Sequence, residues 1–433
     1  MSRELAGLGV SDASRRIREG RLSPVNLLEA CLERIGALDS MLSAWIHVDE
    51  AGARAAAKER ASEAASRRVR GALHGIPVGV KDVFHVAGMP TTAGAGRFAH
   101  EWPSEDSTVV ARMREAGAII VGKTATTEFA YMDPALTRNP WNTAHTPGGS
   151  SSGSAAAMAA RMVPLALGTQ TVGSVLRPAG YCGVVGFKPS SGRVPTDGVI
   201  PLSWSLDHVG CFVRSVEDAA LALGVLAGAD RVSPATAPRI GVPRAWVGRA
   251  EPEVAAHVTA IAQRLAEAGA EVADVALPES VASIDAAGRS VMAADAAAYH
   301  TGRFGTDLSS HRPGIATLVR TGLGQSAVDY VRANRTRDAF RADMRPLFER
   351  FTVLLTPVAP GPAPPGLDST GDPSFCAPWS FIGAPSIALP SGVGTGGLPL
   401  AVQLIAGPRR DAELLGAAAW CERTLDFRAT PPL

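Results

Sequence analysis

The stretch PGGSSSGSAAAMAARMVPLALGTQT (147–171) contains the pattern that decides the fold. Its alanine-rich part, 152–162, is typical of a helix, and VPLALGTQT (163–171) is typical of a buried strand. The same order of a helix and then a strand recurs in 106–124 and in 251–278. Helices that alternate with strands predict an α/β protein, with a large mixed central β-sheet and helices on both faces.

No long linker and no internal repeat divides the 433 residues, so we expect one domain (1–433). An N-terminal helical layer should cover 1–70, and the core should lie in 71–235. A more variable and mostly helical cover is expected over 236–350. The strands and the helix predicted in 351–433 would complete the core.

Composition excludes several classes of function. The formal charge at pH 7 is +1, from 42 basic and 41 acidic residues. Nucleic acids and anionic membranes need a basic footprint, so neither is an expected partner. Five scattered cysteines without a CxxC motif, and no visible signal peptide, favour a cytoplasmic protein. The nine histidines show no metal-binding spacing and no phosphate-binding glycine loop is present, so we expect neither a metal nor another cofactor.

Lysine is rare, and each lysine therefore needs a local reason. The four are Lys58, Lys81, Lys123 and Lys188. Lys81 lies in GIPVGVKDVF (75–84), which is predicted to be a buried strand. Burial lowers the pKa of a lysine, and a neutral amine can act as general base for a serine hydroxyl. The alternative is a Lys81–Asp82 ion pair at the end of a strand, and residue types alone do not decide between the two.

The three serines of GGSSSG (148–153) admit several interpretations. Gly/Ser tracts are usually flexible linkers. A serine N-cap is common at a helix start and would explain Ser152 or Ser154. A GxSxG match is centred on Ser151, but no strand precedes it, which disfavours the nucleophile elbow of α/β-hydrolases. Neither a linker nor a helix start explains the whole of PGGSSS.

The block from Gly148 to Ser190 resembles the signature of the amidase signature family of serine amidohydrolases. Further segments that resemble this family are GALHGIPVGVKDVF (71–84), GAIIVGKTATTEFA (117–130), VPTDGVIPLSWSLDHVG (194–210), VLLTPVAPGPAPP (353–365), PSIALPSG (385–392) and GLPLAVQLIAG (397–407). The resemblance implies the amidase signature fold and a Ser-(cis)Ser-Lys triad. Lys81 matches the base, Ser150 matches the bridging serine after a cis Gly149–Ser150 peptide, and Ser174 matches the nucleophile.

The resemblance also implies an oxyanion hole made by the backbone of Thr171, Val172, Gly173 and Ser174. Most members have glycine where this chain has Val172. Valine tolerates positive φ poorly. Either the backbone here does not need positive φ, or the oxyanion hole is reshaped.

Gln170 and Leu176 stand where many members carry Asp and Arg, and the arginine is shifted to Arg177. This pattern resembles the malonamidase branch, in which that arginine holds the substrate carboxylate. Arg177 would bind such a carboxylate, or it would have a structural role, paired with a buried carboxylate or with carbonyl oxygens. Lys123 and Lys188 are expected to be structural.

The resemblance implies hydrolysis of a small-molecule amide through an acyl-enzyme, with a carboxylate-bearing amide such as malonamate as one candidate. It leaves open a carbamate, urea or aryl-amide hydrolase as well. It also leaves open the A subunit of a tRNA-dependent amidotransferase, although the changes at 170, 176 and 177 and the modest length weigh against it. A homodimer is an expectation at the level of the family. We expect the walls of the pocket to come from 125–145, 200–210, 285–345 and 370–385.

Overall fold

The structure is a computed structural model that describes residues 2–96, 101–228 and 233–433. The N-terminal part is mostly helical. Its elements are α1 (Ser2–Ala6), α2 (Val10–Arg18), α3 (Pro24–Leu42), β1 (Trp45–Val48) and α4 (Glu50–Ala65). Helix α3 has proline at its first position, and the Ser23 hydroxyl before it accepts the Val25 N–H at 3.2 Å. Both features are favourable at the start of a helix.

Eleven strands of the described residues form one mixed sheet, which confirms the predicted fold class. Besides β1 these are β2 (Pro77–Lys81), β3 (Ile119–Thr124), β4 (Leu165–Gln170), β5 (Val185–Lys188), β6 (His208–Val213), β7 (Arg239–Val242), β8 (Glu271–Asp274), β9 (Val353–Pro357), β10 (Ser386–Val393) and β11 (Pro399–Ile405). Their order across the sheet is β1-β3-β2-β4-β6-β5-β10-β11-β9-β7-β8.

The remaining helices pack around this sheet. They are α5 (Thr108–Glu115), α6 (Ser152–Ala159), α7 (Leu176–Cys182), α8 (Val216–Ala227), α9 (Arg244–Val247), α10 (Pro252–Glu267), α11 (Ile284–Phe304), α12 (Pro313–Leu323), α13 (Ala327–Arg350), α14 (Ala377–Phe381) and α15 (Asp411–Leu425). None of the helices in the described ranges combines the length and the apolar character needed to cross a bilayer.

Two neighbouring parallel strands, β2 and β4, position the candidate site and are third and fourth in the order across the sheet. Strand β2 pairs in parallel with both β3 and β4, and Val80 lies opposite Leu167. The carboxyl ends of parallel strands meet at the same end of a sheet. Lys81, the last residue of β2, therefore lies beside the end of β4, from which the chain continues into residues 171–175.

Helix α6 crosses close to the end of β3, and all of its residues are buried. A β-carbon at Gly153 would lie 2.2 Å from the Ala44 carbonyl oxygen and 2.3 Å from the Ala125 nitrogen. Both are backbone atoms that cannot give way, so only glycine lets the helix approach this closely. The close approach fixes the segment that precedes the helix, which contains Ser150.

Candidate active site

Lys81 is fully buried at the end of β2. Its Nζ lies 2.7 Å from Ser150 Oγ and 2.7 Å from Thr169 Oγ1. Burial lowers the pKa of this amine to about 7, against the attraction of the Asp207 charge, which raises it. At neutral pH a large fraction of Lys81 is therefore an uncharged amine, which can accept a proton from the Ser150 hydroxyl.

The alternative ion pair between Lys81 and Asp82 does not form. Asp82 pairs instead with Lys123, whose Nζ lies 2.8 Å from Asp82 Oδ1. The same Nζ donates to the Pro90 carbonyl oxygen at 2.8 Å and to Thr91 Oγ1 at 2.9 Å. Lys123 is thus committed to a buried ion pair, and these contacts fit the structural role expected for it.

Lys188 is also buried and contacts backbone rather than a candidate nucleophile. Its Nζ donates to the carbonyl oxygens of Ala384 at 2.6 Å and of Pro189 at 3.2 Å. Burial lowers its pKa to about 7. These contacts tie β5 to the segment before β10 and fit the expected structural role.

The serines that follow Gly149 have different environments. The Gly149–Ser150 peptide bond is cis, as the resemblance implies. Ser151 Oγ donates to the Thr169 carbonyl oxygen at 3.2 Å, and Ser152 Oγ donates to the Gly148 carbonyl oxygen at 2.7 Å. Helix α6 begins at Ser152, so the tract leads into a helix and is not a linker. The N-cap residue is Ser151, whose side chain makes no capping hydrogen bond, so the expected N-cap at Ser152 or Ser154 is wrong.

Ser174 lies in the loop between β4 and α7. The structure places it beside the serine tract, because its carbonyl oxygen accepts the Ser151 N–H at 3.4 Å. Ser174 is one of the residues that line a cavity of about 340 Å³ against this loop. Lys81 and Ser150 are thus in direct contact, and Ser174 lies on the adjacent loop with access to the cavity.

Residues 171–174 all line this cavity. Within the described part of the chain, none of these four N–H groups donates a hydrogen bond to another protein group. Val172 is not among the non-glycine residues with positive φ. Of the two alternatives for Val172, the backbone agrees with the one in which positive φ is not needed. The loop thus presents unengaged donors, which an oxyanion would require.

Gln170 holds the C-terminal end of this loop. Its side-chain oxygen accepts the N–H groups of Val175 at 2.8 Å and Leu176 at 2.9 Å. Its Nε2 donates to Ser380 Oγ at 2.9 Å. The sequence marked Gln170 as a departure from the family pattern, but a contact across 210 residues left no signal in the spacing.

Asp207 holds the N-terminal end of the loop, and nothing in the sequence had pointed to it. Its Oδ1 accepts the Thr171 hydroxyl at 2.5 Å, and its Oδ2 accepts the N–H groups of Leu202 at 2.9 Å and Ser203 at 3.1 Å. Burial raises the pKa of this carboxyl to about 6, and the three hydrogen bonds and the Lys81 charge oppose that rise. At neutral pH Asp207 is therefore mainly a carboxylate.

Arg177 is buried and uses its guanidinium on the protein itself. It donates to the carbonyl oxygens of Gly371 and Gly149, each at 2.8 Å, and to Thr370 Oγ1 at 3.0 Å. Burial lowers the pKa of this guanidinium. Although Arg177 lines the cavity, these contacts agree with the alternative in which it pairs with carbonyl oxygens. They fasten the loop around Gly371 to the cis peptide.

All four segments predicted for the pocket contribute to the walls of the cavity. Most wall side chains are apolar; these include Met132, Val172, Leu202, Leu206, Ile284, Met292, Pro373 and Phe381. Charged groups in the wall are Arg177, Asp285, Arg289 and Asp372. A small molecule with an apolar group would fit a cavity of this size and composition.

Known proteins match this chain in sequence and structure over nearly its whole length. The family model described as Amidase matches residues 26–415. The A subunit of the glutamyl-tRNA(Gln) amidotransferase of Anaeromyxobacter sp. (strain K) is 36% identical, over 100% of this chain and 99% of that protein. An amidase of Pseudomonas putida is 37% identical over 83% of this chain and 81% of that protein. A crystal structure of an amidase has a TM-score of 0.90 at 34% identity and covers 96% of this chain and 99% of that one.

The low pKa of Lys81 predicts a measurable dependence of stability on pH. Between pH 7 and 10 the unfolded chain holds a proton on this lysine that the folded chain lacks, so stability rises with pH. Lys81→Met should reduce the slope of unfolding free energy against pH by about 1.4 kcal/mol per pH unit. Denaturant unfolding at several pH values measures it, with Lys58→Met as control. Equal slopes in the parent and in Lys81→Met would show an ordinary, charged lysine.

Proposed function

The chain belongs to the amidase family, and on that premise we propose that it hydrolyses the C–N bond of a small-molecule amide through an acyl-enzyme. It is a C–N hydrolase, as its family and its amidase relative indicate. The observation that carries the finer proposal is the 2.7 Å contact between Lys81 Nζ and Ser150 Oγ in a fully buried site. A buried amine with a pKa near 7 is a suitable base for a serine.

In the proposed mechanism Ser174 Oγ attacks the amide carbonyl carbon and its proton moves through Ser150 to neutral Lys81. The C–N bond then breaks, and the lysinium returns the proton through Ser150 to the leaving nitrogen, which departs as a neutral amine or ammonia. A water molecule then attacks the acyl carbon and gives its proton through Ser150 to Lys81. The ester bond to Ser174 breaks, the proton returns through Ser150 to Ser174 Oγ, and the acid is released. The leaving nitrogen receives a proton as the C–N bond breaks, so no amide anion has to be expelled.

The negative oxygen of each tetrahedral intermediate would be held by the N–H groups of residues 171–174. Their freedom from protein acceptors within the described ranges supports this role. One such donor is worth about 3–4 kcal/mol of transition-state stabilisation. The charge of Asp207 favours the lysinium that forms at the same time, so both charges that develop in the reaction have an assigned partner.

The apolar walls support a substrate with a compact apolar acyl group. The malonamidase-like alternative needs Arg177 to hold a substrate carboxylate. Two carbonyl oxygens and a hydroxyl accept three of the five N–H groups of this guanidinium, while its Nε has no partner among the described residues. We therefore assign Arg177 to positioning the loop around Gly371 and prefer neutral amides over malonamate. Carbamates, ureas and aryl amides remain within the same chemistry.

A second candidate function is that of the A subunit in a tRNA-dependent amidotransferase. The 36% identical relative from Anaeromyxobacter, matched over the whole chain, favours it. Such a protein would use glutamine and would need partner subunits. The two functions separate in one assay, because the small-amide hydrolase should work as the purified chain alone.

The triad predicts both the activity and its pH dependence. The purified chain should hydrolyse members of a panel of neutral amides, with kcat/KM rising about tenfold per pH unit below pH 7 and levelling above it, because only neutral Lys81 accepts a proton. Ser174→Ala should lower kcat by at least on the order of 10³, and Lys81→Ala and Ser150→Ala similarly.

The control for this experiment is Ser151→Ala, which should lose far less activity than Ser174→Ala. Ser151 occupies the centre of the GxSxG match but contacts the Thr169 carbonyl oxygen. A parent chain that is inactive on every amide, yet gains glutaminase activity with amidotransferase partner subunits, would reject the small-amide hydrolase in favour of the second candidate.

Arg177 is tested by comparing two substrates. Arg177→Ala should lower kcat/KM for malonamate and for a neutral amide of similar size by the same factor, about tenfold or more, because the loop around Gly371 loses its anchor. Steady-state kinetics of both substrates measure this. A loss confined to malonamate would restore the carboxylate-binding role.

A further inference from the structure

Two side chains that do not line the cavity, those of Gln170 and Ser380, hold the loop of residues 171–175. We propose that Gln170 and Ser380 are positioning residues that aim the Gly173 N–H at the developing oxyanion, an inference that rests on the function proposed above. Gln170 ends β4 and Ser380 lies in α14. Both are buried.

The direction of every hydrogen bond in this pair is fixed. The Gln170 oxygen accepts two backbone N–H groups, so its nitrogen must be the atom that faces Ser380. That nitrogen only donates, so the Ser380 hydroxyl accepts from it and uses its own proton elsewhere. The proton goes to the Val172 carbonyl oxygen, 2.7 Å from Ser380 Oγ.

A hydrogen bond that fixes the orientation of the Val172 carbonyl also fixes the orientation of the N–H that follows it. The peptide unit is planar, and in its trans form the carbonyl and the following N–H point in opposite directions. Ser380 binds the Val172 carbonyl oxygen on the side of α14. The N–H of the same peptide unit, which belongs to Gly173, is therefore turned away from Ser380, and it donates to no protein group among the described residues.

The loop packs closely against the segment that leads into α14. A β-carbon at Gly173 would lie 3.0 Å from Pro373 Cβ and 3.3 Å from Cys376 Cβ. Helix α14 begins directly after Cys376, and its residues Ala377 and Phe381 line the cavity. The wall that receives the substrate and the peptide that would stabilise the oxyanion are thus joined through Ser380.

An amide at position 170 is required for this arrangement, and a carboxylate would break it. In Gln170→Glu the carboxylate could still accept the N–H groups of Val175 and Leu176. It would present a second acceptor to Ser380, whose hydroxyl would turn to donate to it and release the Val172 carbonyl. Ser380→Ala releases the same carbonyl by a different route. The two variants should therefore have the same kinetic defect.

The expected effect is on the transition state. Ser380→Ala and Gln170→Glu should each lower kcat by about tenfold to hundredfold with KM little changed, because the oxyanion exists only after attack. The double variant should lose no more than either single variant, since both remove one shared interaction. Ser380→Thr, which keeps the hydroxyl, should retain most of the activity.

The experiment combines steady-state kinetics with the rate at which a fluorophosphonate labels Ser174, located by peptide mass spectrometry. The matched control is Ser386→Ala, another buried serine, whose hydroxyl donates at 3.3 Å to the Ala384 carbonyl oxygen and makes no hydrogen bond to the loop among the described residues. Melting temperatures identify any variant that fails to fold, and either Ser380→Ala or Gln170→Glu alone suffices for the test.

A tenfold or greater loss of kcat and of labelling rate in Ser380→Ala, absent in Ser386→Ala, would support the inference. Parent-like kcat in folded Ser380→Ala would overturn it, as would multiplying losses in the double variant. If the parent itself is not labelled at Ser174, the proposed function fails and this inference falls with it. The two failures are therefore distinguishable.

Discussion

The burial of one lysine is the constraint on which the site depends. Taking Lys81 out of water lowers its pKa from 10.5 to about 7, which is on the order of 5 kcal/mol against the charged form. The hydroxyls of Ser150 and Thr169 provide hydrogen-bonding partners for the amine. Without burial the lysine would remain an ammonium at neutral pH and could accept no proton. A lysine exposed at the surface would keep its ordinary pKa and could not act as this base.

The sheet makes that burial possible and places the partners around it. Parallel pairing of β2 with β4 brings Lys81 to the loop that contains Ser174. The close packing of Gly153 against Ala44 and Ala125, which directly precede β1 and follow β3, holds the serine tract on the other side. Lys123 forms an ion pair with Asp82 and so neutralises the carboxylate that follows Lys81 in the chain. The catalytic proposal thus rests on ordinary features of an α/β fold.

Much of this could be predicted from the sequence, and the limits have physical reasons. Alternation of helices and strands predicted the fold class, and a lysine inside an apolar strand pointed to Lys81. The choice between a base and a Lys81–Asp82 pair needed the structure, because the partner of Asp82 lies 41 residues away in β3. Likewise the contacts of Arg177 with Gly371 and of Gln170 with Ser380 join segments 194 and 210 residues apart. Local patterns carry no information on such pairs.

The central claim is that Ser174 becomes acylated while Ser150 and Lys81 move its proton. The most direct measurement is rapid quenching of the purified chain during turnover of a slowly deacylated substrate, followed by mass spectrometry of its peptides. The account predicts an acyl group on Ser174 that accumulates in the parent and forms much more slowly in Lys81→Ala. An acyl group on Ser151, or formation on Ser174 at an unchanged rate without Lys81, would contradict it.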